Sequence, residues 1–280
     1  MNRDISWLIL FLIILFIMWH SNGGRFGSSG IIMSPQKDSS ISESNVDTTS
    51  NDNNTPSPES ETPNPDKFTI YSETADTTVT ANNEYIRIRA AYQNKEPVDI
   101  TGWTLVNKNG EKAMIGYGSN LPYSAQINKQ EDILLAPDHE AVIITGKSPI
   151  GTSFRLNLCT GYFGEFQTFY PRLPKNCPAT SKTPGLSELN DDTCIKNIER
   201  QPSCQSFTSQ PYGTSDACGK FMNTHINYQG CVADYQNDKN FFSPKKWYVY
   251  LGRDNEFWQG TRGTIKLYDR IDNLVVETTY

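Results

Sequence analysis

A chain of 280 residues has room for one or two domains with a substantial core, and an aromatic content of 11% excludes disorder throughout. The formal charge of −6 excludes the basic face that displaces counterions from phosphates, so no nucleic-acid partner is expected.

Residues 5–19 carry no charge and would span about 22 Å of hydrocarbon as a helix. Trp7 and Trp19 stand near its ends, where indoles settle at headgroup level, and Arg3 with the free amine keeps the N-terminus cytoplasmic. Residues 1–24 therefore read as a single-pass signal anchor, with the membrane as a partner through residues 5–19 and the C-terminal domain outside. Cleavage near Ser21-Asn22-Gly23 is the alternative, and it would leave a secreted chain. From Ser34 to Asp66 there is no aromatic residue and no leucine. Such a segment buries too little apolar area to offset its ordering entropy, so residues 25–66 read as a disordered Ser/Thr/Asn/Pro-rich linker.

Residues 67–280 form the head. A short strand is expected at residues 68–71, extended or followed by residues 77–80. In residues 84–92, Ile86, Ile88 and Ala90 alternate with Arg87, Arg89 and Ala91, the period of a strand with one wet face. The run 98–106 resumes that period, with Gly102 where a bulge or close backbone approach would sit. The two runs read as facing strands, and Asn109-Gly110 closes a hairpin from the second toward residues 113–115. Residues 132–136 and 141–146 read as a second hairpin turned by Pro137-Asp138-His139-Glu140. Short strands at close spacing with almost no helical period describe an all-β sandwich.

Together these residues resemble the lamin tail domain. The resemblance rests on Glu84-Tyr85-Ile86-Arg87-Ile88, on Val98-Asp99-Ile100-Thr101-Gly102-Trp103-Thr104-Leu105, and on Leu134-Leu135-Ala136-Pro137 before a Val-Ile-Ile strand. Thr101 stands for the family's Ser and Asp138 for its turn Gly. The closing part returns at Thr264-Ile265-Lys266-Leu267-Tyr268 and Leu274-Val275-Val276, so the likeness covers residues 84–146 and about 247–280. It implies an immunoglobulin-like β-sandwich that binds partners or positions other domains. The expected core is Ile86, Ile88, Ile100, Trp103, Leu105, Leu134, Val142, Ile144, Ile265, Leu267 and Val275.

Residues 148–243 interrupt that pattern as a cysteine-rich insertion. All six cysteines lie in this part of the chain, none of them in a Cys-x-x-Cys pair, which points to three disulfides and an oxidising compartment. Tyr162, Phe163 and Phe166 belong to an aromatic cluster that is either a satellite core or an exposed contact patch. Helices are expected at residues 189–200, behind Asn190-Asp191-Asp192, and at residues 215–223, behind Ser215-Asp216. A hairpin that sets the start of one helix near the end of the other implies nested bridges: Cys194–Cys231 and Cys204–Cys218, with Cys159–Cys177 clamping the aromatic segment.

No catalytic motif is present. His20, His139 and His225 have no ligand spacing, so no metal or cofactor is expected. Glu165, Asp191, Asp192, Asp254 and Glu256 are scattered, and Asp191-Asp192 serve a helix N-terminus. Two functions remain in play. One is a non-catalytic binding or scaffold head tethered to the membrane, touching a protein or surface glycan; the other is an envelope hydrolase with its site between sandwich and insertion.

Overall fold

A computed structural model describes residues 67–72, 80–258 and 262–280. The expected anchor at residues 1–24, the linker at 25–66 and the strand extension at 77–79 lie outside the described residues. Among the described residues, no helix is long and apolar enough to cross a membrane.

In chain order the strands are β1 (Phe68–Ser72), β2 (Tyr85–Ala90), β3 (Val98–Asp99), β4 (Thr104–Val106), β5 (Lys112–Met114) and β6 (Gly118–Ser119). They continue as β7 (Leu134–Leu135), β8 (Glu140–Ile144), β9 (Ser153–Arg155), β10 (Lys246–Tyr250), β11 (Thr264–Tyr268) and β12 (Leu274–Thr279). A six-stranded sheet runs β1-β2-β8-β10-β9-β6, a four-stranded sheet runs β12-β11-β4-β5, and β3 pairs with β7. Helices α1 (Asp192–Arg200), α2 (Asp216–His225) and α3 (Tyr228–Tyr235) fall between β9 and β10. The protein is therefore sheet-rich, with a few short helices and three disulfides.

One apolar core lies between the two larger sheets. Ile86, Ile88, Ala141, Ile143, Trp247 and Val249 reach it from the six-stranded sheet, and Leu105, Ala113, Ile265, Leu267 and Val275 from the other. Trp103 is 3% exposed and meets Phe68 edge to face at 5.2 Å. Just before it, Gly102 adopts φ +78°, and a Cβ there would come within 3.3 Å of Arg270 Nε, so a side chain would be strained and crowded.

The alternation along β8 and β10 sends every second residue to a different core. Val142, Ile144 and Tyr248 leave the first core and join Phe154, Tyr162, Phe163 and Phe169 of the insertion. All five residues of β8 are buried for that reason: the insertion covers the outer face of the sheet. It also serves as the long crossover that β10 needs to lie parallel to β8.

Three sequence expectations are corrected. The strands at residues 84–92 and 98–106 are not sheet neighbours, since β2 pairs with β1 and β8 while β4 pairs with β5 and β11. The turn at Asp138 exists, with φ +66°, but it joins β7, which pairs with β3, to β8 in the six-stranded sheet, so it does not close a hairpin. Leu134 is 47% exposed, whereas Ile133 and Leu135 are fully buried, because a shift of one residue exchanges the faces of a strand. The remaining residues of the expected core are buried, with Val142 and Ile144 in the second cluster rather than between the sheets.

The disulfide pairing is also corrected. The bridges are Cys159–Cys231, Cys177–Cys204 and Cys194–Cys218, in place of Cys159–Cys177, Cys194–Cys231 and Cys204–Cys218. The nested arrangement assumed that the start of one helix met the end of the next, but the starts of α1 and α2 meet each other. One carboxylate joins them: Asp191 accepts from Cys194 N–H at 2.8 Å and from Ser215 N–H at 2.8 Å. Ser215 in turn caps α2 by accepting from Cys218 N–H. Cys194 and Cys218 thus face one another in a small core with Ile198, Met222 and Ile226, and Cys231 lies on α3, a helix the sequence reading missed.

Candidate functional site

The aromatic cluster of the insertion forms a cleft of about 210 Å³. Its floor is set by a 3-10 turn, Thr160–Glu165, which buries Tyr162 and Phe163. Phe163 lies against Tyr228, with ring centroids 4.2 Å apart, and Tyr123 meets Tyr228 edge-on at 5.6 Å. Phe166, just past the turn, is 77% exposed and lines the same cleft. The structure therefore brings the three aromatic residues together but divides their roles: Tyr162 and Phe163 are buried as a satellite core that also lines the cleft, and Phe166 presents its ring to solvent.

Each wall is held from behind. Cys159–Cys231 fastens the turn to α3 across 72 residues of sequence. Asn227 caps α3 by accepting from Gly230 N–H at 2.9 Å, which fixes Tyr228 at its first position. Glu165 accepts from the Ser206 N–H and hydroxyl, both at 2.7 Å, binding the turn to the segment after Cys204. Asn128 clasps the Tyr123 backbone through both sides of its amide. That closes the loop whose Ile127 is fully exposed.

The polar lining comes from Ser124, Ser206, Asn227 and Gln229, and among the described residues no charged side chain lines the cleft. Burial, then the nearby Glu165 and Tyr235, push the Tyr162 hydroxyl up to about 12, so it stays protonated at neutral pH. Burial raises Tyr228 as well. The arrangement offers aromatic faces and neutral hydrogen-bonding groups, which suits an uncharged ligand.

A second concavity of about 300 Å³ lies between the outer face of the six-stranded sheet and the insertion, the place of the alternative hydrolytic site. Among the described residues Glu140 is its single carboxylate. Lys246 Nζ lies 3.0 Å and an Arg87 guanidinium nitrogen 3.6 Å from the Glu140 side chain. Both cations are drawn onto Glu140, and no second carboxylate faces it among the described lining residues, so the carboxylate pair of glycoside hydrolysis is not assembled there. A larger depression, about 680 Å³, runs along residues 93–99, where Asn94 donates to the Lys67 carbonyl at 3.2 Å and Asp99 is paired with Arg270.

The remaining titratable candidates have structural partners. His225 Nδ1 lies 2.9 Å from Asp234, tying α2 to α3, with Phe221 against its ring at 4.5 Å. His139 is partly buried near Arg155 and Lys245, and burial first, then those cations, lower its pKa. Asp191 approaches Cys194 and Cys218 closely enough for a metal site. Both sulfurs are spent on the disulfide between them, and backbone N–H groups of Ser215 and Cys194 hold Asp191 below the usual carboxylate range. Asp254 pairs with Lys147 on the surface. No family model matches the chain, and no curated protein matches it.

Proposed function

We propose that the chain is a non-catalytic binding module of the cell surface, held outside the membrane by its N-terminal segment, and that its ligand is an uncharged surface glycan. The observation that carries this reading is the cleft built around Tyr228, with rigid aromatic walls, an exposed Phe166 and neutral polar edges. A sugar ring has an apolar C–H face that stacks on aromatic rings and hydroxyls that bond to amides and serines, so it matches both parts of the lining. Three disulfides and no free cysteine agree with an oxidising compartment.

We further infer an immunoglobulin-like sandwich of the lamin tail type. Support comes from the pairing of β4 with β11, which joins the two separated parts of the sequence pattern. Asp138 supports it too, because its φ of +66° occurs where the family pattern has glycine.

The test is an array of neutral and charged surface oligosaccharides probed with the full-length protein in neutral detergent, with soluble products measured in parallel. Retention of neutral sugars by the wild type, lost in Phe166→Ala and kept in Glu140→Gln, supports binding at the cleft. Product release that Glu140→Gln abolishes would establish the hydrolase instead.

A further inference from the structure

The groove between the six-stranded sheet and the insertion shares no lining residue with the aromatic cleft, and its chemistry is opposite. Register explains how charge accumulates there. On the outer face of the sheet, β2, β8 and β10 place Arg87, Glu140 and Lys246 beside one another, with Arg89 paired across from Glu140 on the exposed margin. The insertion adds Arg172 at the rim, next to Pro171. The lining thus contains three cations and one carboxylate, a local excess of two positive charges in a chain whose formal charge is −6.

We propose that this groove binds a phosphate monoester. A phosphoryl monoester carries about −1.5 to −2 charges at neutral pH, which matches the local excess, and its three oxygens accept the bidentate donors of arginine. Glu140 neutralises one cation and, by touching both Lys246 and Arg87, keeps them on the groove side of the sheet. Arg172 makes no acidic contact among the described residues, so its guanidinium is the group a ligand engages first. Its backbone is fixed independently, because the Tyr248 hydroxyl donates to the Arg172 carbonyl at 3.3 Å. Burial, first, and then Tyr170 and Glu140 raise the pKa of Tyr85, so its hydroxyl remains protonated beside the anion. Pro171, Pro174 and Pro244 wall the groove with residues that have no backbone N–H, so its donors are side chains, the cations together with the Tyr85 hydroxyl and the Asn176 amide.

The phosphoryl group is either free in solution or carried on a lipid, and both arms use the full-length protein at low ionic strength, the first in neutral detergent and the second after the detergent has been removed. Calorimetric titration with glycerol 3-phosphate is expected to saturate, with glycerol giving no signal. Arg172→Gln should weaken the affinity about tenfold at unchanged melting temperature, since one charged hydrogen-bonded contact is lost. In the second arm, Arg172-dependent association with phosphatidic acid vesicles, beyond that with phosphatidylcholine vesicles, would identify the lipid as the source. Lack of saturable binding in both arms, or equal affinity of wild type and Arg172→Gln, overturns the proposal. Loss of the aromatic cleft in Phe166→Ala should leave this binding unchanged, so the two sites fail or succeed separately.

Discussion

Phe163 and Tyr228 pack with ring centroids 4.2 Å apart although 65 residues of sequence separate their positions, and the bond that makes this possible is the adjacent Cys159–Cys231 bridge. The turn that carries Phe163 has no strand of its own. Its place is set by the bridge, by Glu165 and by packing on the outer face of β8 and β10.

Removing Cys159–Cys231 should therefore cost more than removing Cys194–Cys218, since the first closes a loop of 72 residues and the second one of 24. The double Cys→Ala variants are expected to lose about 2–5 kcal/mol, with the larger loss at Cys159/Cys231. Denaturant unfolding measures this, and non-reducing peptide mapping should recover the three observed pairs.

Phe163→Ala and Phe166→Ala should separate folding from binding. Phe163 is 4% exposed, so its truncation is expected to cost about 3–5 kcal/mol. Phe166 is 77% exposed, so its truncation should stay within about 0.5 kcal/mol. Melting curves of the two variants side by side check the difference.

Gly161 should not tolerate a side chain. A Cβ there would stand 2.3 Å from Cys204 Sγ and 2.8 Å from the Pro174 carbonyl oxygen, both held by a disulfide or by backbone. Gly161→Ala is expected to cost about 1–3 kcal/mol or more, as overpacking in a fixed surround does. Chemical unfolding reads the loss.

Glu84 fixes the loop before β11 to the start of β2. Its carboxylate accepts from Phe257 N–H at 2.7 Å and Trp258 N–H at 2.9 Å, in a site 3% exposed. Glu84→Ala leaves two buried donors without acceptors and should cost about 3 kcal/mol, while Glu84→Gln, which keeps one acceptor oxygen, should cost less. The ratio of the two losses, measured by urea unfolding, is the readout.

Alkaline pH should destabilise the insertion. Tyr162 has a folded pKa of about 12 against an ordinary 10.0, so the folded state holds its proton more tightly than the unfolded state. The stabilising difference is full below pH 10 and is lost as pH rises toward 12, and burial of Tyr228, Tyr248 and Tyr250 acts in the same direction. Tyrosinate absorbance followed with unfolding across that range checks the sign.

Local rules made parts of the fold legible in the sequence. Alternation marked β2, the Asn109-Gly110 turn marked the β4–β5 hairpin, and Asp191 and Ser215 marked the starts of α1 and α2. Pairing partners were less legible, because β8 is apolar at four of five positions and gives no period to say which faces are covered. The disulfides depended on α3, whose run Tyr-Gln-Gly-Cys-Val-Ala-Asp-Tyr has little helical amphipathicity. In the candidate site, the aromatic residues could be found by composition. Which ring was exposed could not, since Tyr162, Phe163 and Phe166 differ only in how the 3-10 turn presents them.

The most direct measurement is the affinity of the full-length protein for the best neutral oligosaccharide from the array, compared between wild type and Phe166→Ala with melting temperatures recorded for both. A loss of about tenfold or more in Phe166→Ala at an unchanged melting temperature is predicted, since an exposed aromatic anchor contributes to binding and little to folding. Equal affinities, or no saturable binding of any neutral sugar by a folded wild type, would contradict a glycan site in the cleft around Tyr228.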